Sequence, residues 1–96
     1  MLKVGDKIEW SSQANGYGKR KRGEIAFVLP PGVSALEFLR SRFGADPTVV
    51  KSIYNINAID GGGGSREHES YIISTRRTER TKPHLYWPIA SKLRKI

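Results

Sequence analysis

Glu69-Ser-Tyr-Ile-Ile-Ser-Thr75, a basic turn, and then Leu85-Tyr-Trp-Pro-Ile-Ala-Ser-Lys-Leu-Arg-Lys-Ile96 form the last third of the chain. Period-two alternation makes the first piece a strand and the second a strand cut off at Pro88, whose nitrogen has no hydrogen to donate to a ladder. A closing turn follows. Tyr71, Ile73, Leu85, Trp87, Ile89, Leu93 and Ile96 are apolar enough to complete a small β core. The N-terminal part must supply the other half.

Residues 2–11 are expected to form a strand. Val4-Gly-Asp-Lys-Ile-Glu-Trp10 places Ile8 and Trp10 on one face and Lys7 and Glu9 on the other, after a tight entry at Gly5-Asp6. Ser11-Ser-Gln-Ala-Asn-Gly-Tyr-Gly18 then reads as a polar, Gly-rich loop. It runs into Lys19-Arg20-Lys21-Arg22, whose mutual repulsion is expected to keep the run solvated. Gly23–Leu29 is a second strand with Ile25 and Phe27 on one face, ended by Pro30-Pro-Gly32.

A helical insertion over about 33–54 interrupts the strands. Ser34-Ala-Leu-Glu37 is a capping box, with Val33 and Phe38 placed for a hydrophobic staple. Leu36, Leu39 and Phe43 recur at helical spacing, and Gly44 stands where a C-cap glycine belongs. The spacing predicts a helix over 35–43. Asp46-Pro47 is a second N-cap with Pro in the first turn, so a one- to two-turn helix is expected, although Val49, Val50 and Ile53 also suit a strand. A strand over about 54–59 should follow. Residues 60–66 form a Gly loop, and Gly61–Ser65 spells a flexible linker, native or engineered.

The 96 residues carry 17 Lys and Arg against 9 Asp and Glu, a formal net charge of +8. One domain of this length with such an excess favours polyanionic partners: nucleic acid, DNA or RNA, or an acidic protein surface. Cysteine is absent, which removes disulfides, thiolate nucleophiles and Cys-based zinc sites. No apolar run approaches the roughly 18 residues of a membrane span, and the N-terminus lacks a signal-like stretch. A cytoplasmic protein without a membrane partner is therefore expected.

Enzyme motifs are missing. There is no G-x-S-x-G, and Gly61–Gly64 lacks the Lys-Ser/Thr ending of a phosphate-binding loop. His68 lies between Glu67 and Glu69, but neighbours on an extended chain point to opposite faces. His84 is too far away in sequence to set a ligand spacing. No catalytic residue, metal or cofactor is expected.

The candidate binding residues are therefore basic and aromatic. Lys19, Arg20, Lys21 and Arg22 form one basic loop, and Arg76, Arg77, Arg80 and Lys82 the other. Trp10 and Trp87 are expected in the core. Tyr86 alternates with Trp87 and should face outward, and Tyr17 precedes the first basic run. If both loops share a rim, they form a cationic saddle where phosphates meet Lys and Arg and bases stack on Tyr17 and Tyr86.

The order Gly-Asp-x-Ile-x-Trp, basic loop, Gly-Glu-Ile-x-x-Val, Tyr-Ile-Ile and Leu-Tyr-Trp-Pro…Leu-Arg-Lys-Ile resembles a small SH3-like barrel of the Tudor/KOW kind. It is also similar to short proteins of phages and bacteria. The resemblance covers residues 3–29 and 69–96. It implies a mainly β, α+β fold, a partly closed antiparallel barrel with an inserted helix or α-hairpin. It also implies binding to nucleic acid, peptides or methylated side chains; Trp10, Tyr71, Tyr86 and Trp87 are the candidates for an aromatic cage. Leu36–Asn55 is similar to a helix-turn-helix with Gly44 at the turn and Val50 and Ile53 packing back. An α-hairpin that packs on the barrel is the plainer reading. The expected function is a non-enzymatic nucleic-acid-binding module. Its rival is a protein-binding module, such as a phage-encoded inhibitor docking on an acidic host surface.

Overall fold

The alternation of Ile8 and Trp10 with Lys7 and Glu9 does yield a strand, and it pairs with a partner longer than expected. The structure, a computed structural model, describes residues 2–14, 17–56, 59, 66–76, 81–88 and 90–96, with the backbone alone for 12–14 and 17–19. Strands β1 (Lys7–Ala14) and β2 (Tyr17–Leu29) form a long antiparallel hairpin. Helices α1 (Ala35–Phe43) and α2 (Pro47–Ile53) follow, then β3 (Ser70–Thr75), β4 (His84–Tyr86), a 3₁₀ turn over Ala90–Lys92 and the short β5 (Arg94–Lys95).

The result is an α+β fold with a five-stranded sheet in the order β4-β3-β2-β1-β5, antiparallel at every pairing. The outermost strands β4 and β5 are not hydrogen-bonded to each other, so the sheet stays open and the expected barrel closure is not reached. It nevertheless curls. A flat sheet would hold β1 and β4 about 14 Å apart, three spacings of about 4.8 Å. The rings of Trp10 on β1 and Tyr86 on β4 instead meet with centroids 5.7 Å apart. Gly23 lies close against β3. A Cβ there would lie 2.6 Å from the Ser74 carbonyl oxygen and 2.7 Å from Ile73 Cγ2, a closeness that only glycine tolerates.

Both faces of the sheet are covered. On the concave face Ile8, Trp10, Ile25, Tyr71 and Ile73 form one buried cluster, closed over by Leu2, Ala90 and Leu93. On the other face Leu29, Ile72 and Leu85 pack with Ala35, Leu39 and Val50 of the helices. Phe27 anchors the helices, with ring centroids 5.5 Å from Phe38, 6.2 Å from Phe43 and 6.3 Å from Tyr54.

Helix α1 has the expected bounds. The Ser34 hydroxyl accepts from the Glu37 N–H at 3.2 Å, and Gly44, at φ +95°, donates its N–H to the Arg40 carbonyl. The reciprocal bond of the capping box, from Ser34 N–H to the Glu37 carboxylate, is not made, and Glu37 is exposed. Asp46 caps α2 by accepting from the Thr48 N–H and hydroxyl; those two bonds, backbone first, hold its carboxyl below the usual range. The helices form a hairpin packed on the sheet. Val50 is buried as expected, but Ile53 is exposed, because the seven-residue α2 turns it away from the core.

Three strand expectations change. Residues 2–6 are a turn, with Gly5 at φ +94° and the Lys3 N–H donating to Asp6 Oδ2. Ile25 and Phe27 lie on opposite faces, because a β-bulge shifts the register between them. Residues 54–59 are no strand among the described positions. Asn55 alone bridges to His84, and Ile59 donates its N–H to the Ile56 carbonyl, with both isoleucines buried.

Candidate functional site

The basic run is strand, not loop. Lys19, Arg20, Lys21 and Arg22 belong to β2 and lie across from Ser12, Ser11, Trp10 and Glu9 of β1. Extended backbone resolves the repulsion, since adjacent cations point to opposite faces. Arg22 and Arg94 both reach Glu9, each at 3.6 Å, while Lys21 Nζ lies 4.2 Å above the Tyr86 ring. Strand β3 ends at Thr75 and β5 pairs with β1 only at Ile8 and Glu9, so beyond Arg22 the hairpin continues as a two-stranded ribbon with no third strand among the described residues.

Tyr86 does not face solvent as expected. It is half-buried on the concave face, between Trp10 and His84, whose ring stacks on it at 6.4 Å. Trp87 takes the opposite face. It is half-buried rather than enclosed, donating from Nε1 to Ser70 Oγ at 3.0 Å. The alternation was legible, but both faces of this strand are covered. The proposed aromatic cage does not assemble either, because Trp87 is on the other side of the sheet from Trp10, Tyr71 and Tyr86.

The two basic segments meet only in part. Arg76 and Arg22 line one hollow with Gly23 and Thr75. Lys82 instead donates to the Lys51 carbonyl at 2.9 Å and lines a different hollow with His84 and Tyr54. Arg77 and Arg80, the side chains of Lys19 and Tyr17, and the Gly61–Ser65 linker lie outside the described residues.

Sequence reasoning missed Lys92 and Arg94. The C-terminal turn and β5 bring them beside Arg20, around a hollow of about 340 Å³ lined also by Glu9, Trp10 and Ser11. Their only advance signal was the clustering of cations in Lys92-Leu-Arg-Lys95. Arg66 was missed too, and its role is structural. Its guanidinium lies 3.8 Å above the Trp87 ring and donates to the Trp87 and Pro88 carbonyls at 2.9 and 2.8 Å. Burial pulls its pKa down.

No family model, curated protein or solved structure matches the chain. Among the described residues no helix is long and apolar enough to cross a membrane, and no three His, Cys, Asp or Glu gather as metal ligands.

Proposed function

We propose that this protein is a non-enzymatic nucleic-acid-binding module whose binding element is the β1–β2 ribbon. The observation that carries the reading is the position of Arg20 and Lys21 on a two-stranded ribbon running past the ends of β3 and β5, with Arg22 at its root beside Arg94. Alternation presents cations on both ribbon faces, and Arg76 and Arg94 flank it. A ribbon of two strands is narrow enough to enter the major groove of a duplex, about 12 Å wide. Phosphate contacts from such cations give affinity with little sequence choice. The strong sheet curl is in keeping with the resemblance to a small SH3-like barrel.

Tyr86 has no part in this reading as a base-stacking platform, since its ring is engaged by Trp10, His84 and Lys21. The test is a gel-shift or filter-binding titration with mixed-sequence duplex and single strands over a range of salt. Binding that weakens steeply with salt supports the proposal. No binding at low salt, with an acidic host protein recovered in a pull-down, would favour the inhibitor reading.

A further inference from the structure

The ribbon carries two successive cross-strand rows on one face. In the first, Glu9 stands between Arg22 of β2 and Arg94 of β5, 3.6 Å from each. The next row along β1, about 7 Å further, pairs Ser11 with Arg20. Lys92 lines the same hollow. The second row thus repeats the cations of the first but has a hydroxyl where the first has a carboxylate. Among the described residues, no carboxylate lies within ion-pair distance of Arg20 or Lys92.

We propose that this hollow seats a phosphate group of the bound nucleic-acid strand, resting on the binding reading above. The oxyanion takes the place that Glu9 holds one row earlier. Arg20 and Lys92 supply charge-assisted hydrogen bonds and Ser11 a neutral one. Arg94, half-neutralised by Glu9, closes the rim. Trp10, between Glu9 and Ser11 on β1, also lines the hollow. The hollow, about 340 Å³, admits a phosphate with part of its sugar.

The experiment titrates the full chain with inorganic phosphate, following amide and guanidinium resonances by NMR against chloride at matched ionic strength. The expected result is a saturable shift confined to Ser11, Arg20, Lys92 and their neighbours. Arg20→Thr should weaken it about tenfold, the scale of one charge-assisted hydrogen bond. Ser11→Glu, which fills the seat with the chain's own carboxylate, should abolish it while preserving the fold. Equal shifts in wild type and Ser11→Glu, or shifts scattered over all cations, would overturn the seat. A duplex oligonucleotide titration separates the two claims. Duplex binding that Ser11→Glu leaves unchanged refutes the seat and spares the function; phosphate seated without oligonucleotide binding supports the seat and refutes the function.

Discussion

The Trp10 and Tyr86 rings touch, with centroids 5.7 Å apart and planes tilted by 60°, although β2 and β3 lie between their strands. That contact joins the two ends of the curled sheet. Tyr86→Phe should leave stability within about 0.5 kcal/mol, since the ring makes the contact. Tyr86→Ala should cost about 3 kcal/mol, as for a large aromatic removed from a packed site, and should shift Trp10 fluorescence to the red. A Tyr86→Ala variant with unchanged denaturation midpoint and emission would show that the rings do not brace the curl.

Gly23 permits the close approach of β3 to β2. Gly23→Ala pushes a methyl group against the Ser74 carbonyl oxygen, part of the backbone and unable to rotate aside. A loss of about 1–3 kcal/mol is expected, in the range of overpacked sites. A calorimetric Tm equal to wild type would mean that β2 and β3 are further apart than described.

Much of the helical insertion was legible, because its signals are local. Ser34, Glu37 and Gly44 lie within one short stretch and specify α1 without help from the rest of the chain. The hairpin was less so. Asn15-Gly16 between two alternating runs is a strong hairpin signal, but the Gly-rich, cationic surroundings argue for a loop. What decided otherwise was cross-strand: Glu9 across from Arg22, and Tyr86 beneath Lys21. Such partners become visible only once register is known. Tyr86 and Trp87 were misplaced for a related reason. Alternation says that they face opposite ways, but not that both faces are covered.

Ser34→Ala tests the cap directly. With one bond from its hydroxyl to the Glu37 N–H, the loss should be roughly 1 kcal/mol, read as a lower unfolding midpoint. No change would show that the helix start is held by packing alone.

Tyr71 gives the alkaline dependence of stability a definite sign. Burial, then the hydrogen bond and charge of Glu69, push its hydroxyl pKa above the ordinary value. The folded state therefore holds this proton more tightly than the unfolded chain. Its contribution is full below about pH 10, the unfolded value, and is lost as pH rises through the raised folded value. Tyr71→Phe should flatten the fall in Tm in that window relative to wild type. Identical pH profiles would show that Tyr71 titrates alike in both states.

The most direct test of the central claim is duplex affinity against salt for wild type and Arg20→Thr/Arg22→Thr, substitutions that keep a strand-favouring residue at each position. Removing one cation that neutralises a phosphate should flatten the log–log slope by about 0.9. A slope shallower by roughly one to two units, with affinity reduced and the fold retained, is expected if the ribbon lies against the phosphates. Parallel lines of equal affinity would contradict the account, leaving the cations of β2 as a solvated strand that only guards an open sheet edge.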